Sequence, residues 1–472
     1  MTPARSDGAA VLLPGFAGTE LPGWLAVRLR AGLAGVCLFG ENVVSREQLR
    51  ALTDDIRAAN PSAIIAIDEE GGDVTRLHDR TGSPYPGNAL LGRIADLDLT
   101  AQVARSVAHE LRIVGVNLNF APDADINSNP DNPVIGVRSF GTDPEAVSAQ
   151  VSTWIDAHQR EGVAVCAKHF PGHGDTAQDS HLSMPVVDLS RAQLHERELR
   201  PFVAAGQAGA ASIMTSHVLV PRLDPRQPAT FSRSILNDVL RGELGYEGVI
   251  VSDALDMVGA SGGIGIPAAA VRAIAGGCDL LCIGTRNTDE QLEAIGAALD
   301  AAVADAALPA QRLADAVARN AAMVAGLAEP LPRASLSDPV ASFDLDRAIA
   351  AFDIAADVVL EPGARIVTLE TSANIAVGGS PWGLAAAGAD TTPVFEAEAV
   401  PVVDSPVVLV GKDNHRQDWT RAAIDRARDQ NSAVVVVDMG WPSPDRAYAD
   451  IATFGASRYV GEALRKLLGS TS

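Results

Sequence analysis

The feature that most narrows the fold is a series of short, continuously apolar runs separated by longer amphipathic stretches. The runs are AAVLLPG (9–15), GVCLFG (35–40), SAIIAID (62–68), VNLNFAP (116–122), VAVCAKH (163–169), ASIMTSH (211–217), GVIVSD (248–253) and CDLLCIG (278–284). Strands buried on both faces read this way, because a parallel sheet covered by helices has no wet face. Between most of them lie segments of helical period, such as LTAQVARSVAHELRIVG (99–115) and NTDEQLEAIGAALDAAVADAAL (287–308). Eight strands with crossover helices in one stretch of sequence predict an α/β fold of the (β/α)8 TIM-barrel type. An open doubly wound sheet is the alternative.

The pattern breaks at LAEPLPRASLSDPVASFD (327–344), which is rich in Pro and Ser and has no strong period. Strand-like runs return at RIVTLE (365–370), SPVVLVG (405–411) and SAVVVVDMG (432–440), with helical segments among them. The expected organisation is a catalytic barrel over 1–328, a linker over 329–345 and a small α/β sandwich-like domain over 346–472. The tail holds no catalytic string, so it reads as a packing or dimerising module, a homodimer being one arrangement. IATFGASRYVG (451–461) is the stretch expected to touch the barrel.

A net charge of −22 argues against nucleic-acid or anionic-membrane partners recognised through a general basic surface. The N-terminal residues lack the basic start and apolar run of a secretory signal, and no segment is long and apolar enough to span a bilayer. The expected location is therefore cytoplasmic. Cys37, Cys166, Cys278 and Cys282 sit inside apolar runs and suit buried thiols better than disulfides or zinc ligation.

Active sites of (β/α)8 barrels lie at the C-terminal ends of the strands. Those ends carry Asp68, Lys168-His169, Ser216-His217 and Asp253. A charged group that closes an apolar strand needs a partner or an aqueous cleft. Four such ends on one side of a barrel point to a converging site. Two chemistries would use them. One is metal-assisted hydrolysis with His169, His173 and His181 as ligands. The other is metal-free acid/base and nucleophilic catalysis. The histidine spacings of four and eight run through a loop broken by Pro and Gly, which disfavours a helical metal motif.

The string KHFPGHGDTAQDSH (168–181) closely resembles the signature loop of β-N-acetylglucosaminidases in glycoside hydrolase family 3. IDEEGGDVTRL (67–77), NLNFAPDADIN (117–127), IGVRSFGTDP (135–144) and IVSDALDM (250–257) match further elements of that family in order, over residues 9–328. The resemblance implies Asp253 as nucleophile, with His181 as general acid/base and Asp179 as its partner. It implies substrate binding by Asp68, Arg76, Arg138, Lys168 and His169, and no metal or cofactor. His173 and Asp175 are expected to shape the loop, and His217 and Met257 to line the pocket. Glu69 and Asp73 stand where many members have Gln and Arg, which implies a more acidic rim.

The activity so implied is retaining exo-hydrolysis of non-reducing terminal β-GlcNAc, with cell-wall fragments or other amino-sugar glycosides, muropeptides among them, as substrates. An imidazole acid/base is neutral when the glycosyl-enzyme is attacked. It would not repel an anion as a carboxylate would, by roughly 1–4 kcal/mol at 4 Å. Phosphate is therefore the alternative acceptor, giving GlcNAc-1-phosphate. A β-glucosidase or β-xylosidase of the same family is the other enzyme reading. A sugar-binding pseudo-enzyme is the non-enzyme one, and the presence of Asp253 and His181 counts against it.

Overall fold

The computed structural model describes residues 8–176, 184–361, 363–371, 374, 376–396, 398 and 406–469. These form two compact units. The first comprises the described residues up to Glu69, Leu97–Ile126 and Asp143–Val340; the second comprises Glu70–Asp96, Asn127–Thr142 and the described residues from Ala341 on.

All eight apolar runs of the first unit contain a strand: β1 (Leu12–Pro14), β2 (Gly35–Leu38), β3 (Ile64–Ile67), β4 (Leu118–Asn119), β5 (Ala164–Phe170), β6 (Ser212–Thr215), β7 (Val249–Ser252) and β8 (Leu280–Gly284). They pair in parallel in the order β1-β8-β7-β6-β5-β4-β3-β2. The edge strands β1 and β2 also pack on each other, so the sheet nearly closes as a barrel with helices around it. Every residue of these strands is buried. Alternate positions meet in one core: Ile64 and Ala66, Ala164 and Cys166, Val249 and Val251, Leu280 and Cys282. That is the period of two expected when one strand face turns inward. The four cysteines are buried and form no disulfide.

Strand β4 is only two residues long because asparagine side chains do part of the work of its backbone. Asn117 Oδ1 accepts from Ile65 N (2.7 Å) and its Nδ2 donates to Ala63 O (2.9 Å). Asn119 makes the same pair with Glu69 N and O (3.0 and 2.9 Å). At the N-terminal end of β8, buried Asp279 takes ion pairs from Arg241, Arg312 and Arg319, a structural use of charge at the end opposite the expected chemistry.

The second unit is built on a six-stranded sheet: β9 (Asp353–Ile354), β10 (Arg365–Leu369), β11 (Thr392–Val394), β12 (Val407–Gly411), β13 (Val434–Asp438) and β14 (Ile451–Ala452), in the order β11-β10-β12-β13-β14-β9. All its pairings are parallel except that of β9 with β14. The helix Arg458–Gly469 packs Tyr459, Val460, Ala463 and Leu464 into a core with Val408, Val410 and Val437. Leu90, from the 70–96 segment, joins that core, so this segment folds with the C-terminal sheet although it lies inside the barrel stretch of the sequence.

Candidate active site

The barrel places its polar strand ends as the sequence suggests. Asp68 follows β3 and accepts from Lys168 Nζ at 2.7 Å; the lysine side chain is 3% exposed and the aspartate 18%. Lys168 and His169 lie within β5, and Asp253 directly follows β7, where its Oδ1 accepts from Ala254 N (2.7 Å). The turn bearing Asp253 is held from the end of the preceding strand, β6. His217, which follows β6 and is fully buried, contacts Ala254 O through Nε2 (3.0 Å) and Thr230 Oγ1 through Nδ1 (2.8 Å). A carbonyl can only accept, so Nε2 donates. With both ring nitrogens so engaged, His217 ties the Asp253 turn in place.

The geometry brings in two residues to which the motif gave no role. Asp123 bridges to Lys168 beyond the end of β4, and its Oδ1 accepts from Asp125 N (2.9 Å). Asp125 is 1% exposed. Its Oδ2 accepts from His169 Nδ1 (2.7 Å) and His169 N (3.2 Å), and its Oδ1 from His173 N (2.6 Å). Burial opposes ionisation of this carboxyl, but the hydrogen bond and charge of His169, then His173, hold it below the usual carboxylate range. The signal was present in the sequence: two carboxylates two residues apart inside NFAPDADI cannot be buried without donors facing them.

His173 is 2% exposed and packs edge-on to His169, with ring centroids 6.1 Å apart. Burial pushes its pKa down to about 4, against the opposing charges of Asp125 and Asp253. It is therefore neutral near pH 7, in keeping with a loop-shaping part. Asp175 pairs with Arg197 (3.2 Å), which also binds Glu198 (2.6 Å). Burial raises Glu198 to about 7, opposed by Arg197. Glu198 lies under Gly172, where a Cβ would meet its side chain at 2.9 Å.

Candidate ligand atoms of Asp123, Asp125 and His169 lie within 4.8 Å of one another. The Nδ1 of His169, however, gives its proton to Asp125, so a metal there would have to displace that hydrogen bond.

Arg76 and Arg138 belong to the second unit. Arg138 is 5% exposed and forks onto Glu70, Nε to Oε2 at 3.1 Å and Nη2 to Oε1 at 2.8 Å, while Nη1 donates to Val134 O (3.1 Å). Arg76 donates to the carbonyls of Ala376 (2.7 Å) and Val377 (3.2 Å). The acidic rim expected at Glu69 does not form, because that side chain is fully buried. Asp73 accepts from Ala456 N (2.7 Å), and burial raises its pKa, opposed by Lys412. Asp179 and His181 lie outside the described residues.

Residues 26–323 match the model of the glycosyl hydrolase family 3 N-terminal domain. The chain belongs to glycosyl hydrolase family 3. Within the family it is 41% identical over 297 residues to a β-hexosaminidase of Chromobacterium violaceum, covering 61% of this chain and 80% of that one. It is 36% identical over 344 residues to β-hexosaminidase A of Pseudoalteromonas piscicida, covering 67% of this chain but spanning only 57% of that relative. Among solved structures, a family 3 β-N-acetylglucosaminidase from Paenibacillus sp. str. FPU-7 superposes with a TM-score of 0.85 at 28% identity, covering 100% of this chain and 97% of that one.

Proposed function

We propose that this family 3 chain is a retaining exo-β-N-acetylglucosaminidase acting on terminal β-GlcNAc of cell-wall-derived fragments or other amino-sugar glycosides. The observation that carries the reading is Asp253, a carboxylate closing β7 in the barrel that also presents the Lys168–Asp68 pair, in a chain similar to named β-hexosaminidases. In this reading Asp253 attacks the anomeric carbon, and the leaving-group oxygen takes its proton from His181, oriented by Asp179. The C1–O bond breaks as the C1–Asp253 bond forms. The neutral imidazole then takes a proton from the acceptor, which displaces Asp253 and restores the β configuration.

Lys168 and Asp68 offer the sugar hydroxyls donors and acceptors, and charge-assisted bonds of this kind are the strong ones. His169, its Nδ1 committed to Asp125, presents Nε2.

The test is release of the aryl group from aryl β-GlcNAc, by wild type and Asp253→Ala, with chelator present. Turnover that collapses by several orders of magnitude in the variant, with a β-configured first product, is the expected result. Absence of turnover by wild type, with cleavage of the aryl β-glucoside or β-xyloside instead, would overturn the 2-acetamido assignment. Added phosphate separates acceptors: free GlcNAc alone means hydrolysis, and GlcNAc-1-phosphate means phosphorolysis.

A further inference from the structure

The two arginines expected to bind sugar share a support. Arg76 is held by the carbonyls of Ala376 and Val377, about 300 positions along the chain. Those carbonyls are aimed by a tight turn: Asn374 Oδ1 accepts from Val377 N (3.0 Å), and Asn374 O accepts from Gly378 N (3.0 Å). Gly378 has φ +79°, which favours glycine, and a Cβ there would lie 3.9 Å from Arg76 Nη1.

The other end of the same asparagine faces the Arg138 loop. Asn374 Nδ2 donates to Pro133 O (3.2 Å), with Val134 O at 3.5 Å. Val134 O is the carbonyl that receives Arg138 Nη1, and Asn132 Oδ1 fixes the same turn by accepting from Val134 N (2.9 Å) and Ile135 N (2.8 Å). A second C-terminal group, Arg416 Nη2, donates to Pro130 O (3.0 Å).

We infer that Asn374 is a positioning residue for substrate binding, which holds the Arg76 guanidinium through its acceptor and the Arg138 turn through its donor. The inference rests on the proposed reading of both arginines as sugar contacts. Main-chain carbonyls fix the direction in which a guanidinium points. An arginine fixed before the ligand arrives has less rotamer freedom to lose on binding. The ligand class this suits is a neutral sugar that presents hydroxyl and amide oxygens to N–H donors.

The experiment measures kcat and KM on aryl β-GlcNAc, with the melting temperature, for Arg76→Ala, Asn374→Ala, Asn374→Asp, Gly378→Ala and Asn374→Ala made in Arg76→Ala. Asn374→Ala and Gly378→Ala should each raise KM roughly 5- to 20-fold, the scale of one or two net hydrogen bonds, with kcat changed by less than about 2-fold. In the Arg76→Ala background the Asn374→Ala effect should shrink by at least half, because the group it holds is gone. Asn374→Asp keeps the acceptor and loses the donor, so its smaller KM rise should add to that of Arg76→Ala. A variant that melts lower with KM unchanged, or full additivity of Asn374→Ala with Arg76→Ala, overturns the inference while leaving the proposed function intact. An unchanged KM in Arg76→Ala itself overturns the sugar-contact reading of Arg76, and the inference with it.

Discussion

Replacing Asp125 tests the arrangement of the barrel end more directly than replacing any group in contact with sugar. Its carboxylate accepts three hydrogen bonds in a site sealed from solvent: His169 Nδ1, His169 N and His173 N. Asp125→Ala leaves three buried donors without an acceptor. Each such donor costs about 1–3 kcal/mol, and breaking a buried charged pair typically costs 3–5. Neighbouring groups relax together, so about 3–5 kcal/mol is expected in urea unfolding, not the full sum.

Asp125→Asn keeps the shape and forces a choice. If the amide nitrogen faces His173 N–H, two donors collide and the backbone cannot switch. If it faces His169, it meets only the longer backbone contact, His169 N at 3.2 Å against 2.6 Å for His173 N, and the ring can move its proton from Nδ1 to Nε2. The second conflict is cheaper, at about 1–3 kcal/mol, and it changes what His169 offers to a ligand, because the proton held on Nδ1 by Asp125 moves to Nε2. Nitrogen NMR of the labelled imidazole reads the tautomer, and kcat/KM on aryl β-GlcNAc should fall roughly 10- to 100-fold, the equivalent of 1.4–2.8 kcal/mol. Asp125→Asn with the wild-type tautomer, or Asp125→Ala losing less than about 1 kcal/mol, would refute the reasoning.

Further expectations follow from burial. A Cβ on Gly174 would sit 1.6 Å from Ile126 O, so Gly174→Ala must move backbone and should cost about 1–3 kcal/mol by denaturation; a variant as stable as wild type would contradict that close approach. Burial lowers His173 to about 4 and His158 to about 3 from 6.5, so the unfolded chain binds these protons first. Their contribution is intact above pH 6.5 and is lost as pH falls toward 4, by about 3 kcal/mol or more for each. His158→Gln should flatten that slope in unfolding measurements across pH. Glu198 moves the other way, raised from 4.5 to about 7, so its stabilising share is complete below pH 4.5 and gone above 7. Glu198→Gln should accordingly gain on wild type as pH rises through that window, by up to about 3 kcal/mol, and a pH-independent difference would remove Glu198 as the cause.

The barrel was legible because each of its strands is buried on both faces and so leaves an apolar run that no helix of ordinary length would make. The Lys168–Asp68 pair was legible for the same reason, since two charges closing two such runs have to meet something. Three strands of the second sheet were not: Asp353–Ile354, Thr392–Val394 and Ile451–Ala452 are too short to show a period. Asp125 was hidden by its motif, which drew the eye to Lys168 and His169. The role of Asn374 has no local signature, because its partners Pro133 and Val134 stand 241 and 240 positions away. Glu69 misled, since charge in a sequence suggests a wet rim and this side chain is 0% exposed.

The chain enters the second unit, leaves it, returns and leaves again before its last stretch completes it. Arg76 and Val377 are 301 positions apart, and Asp73 and Ala456 are 383. At about 5–20 residues per second, synthesis separates the first pair by roughly 15–60 s and the second by roughly 20–75 s. Closing such long loops is what makes non-local contacts slow to form. The segments bearing Arg76 and Arg138 therefore leave the ribosome long before the groups that will hold them exist. For that interval they must avoid other pairings. The strands on either side of them, whose partners are neighbours in sequence, meet no such delay, so the unit that the chain enters second, at Glu70, is the last to be completed.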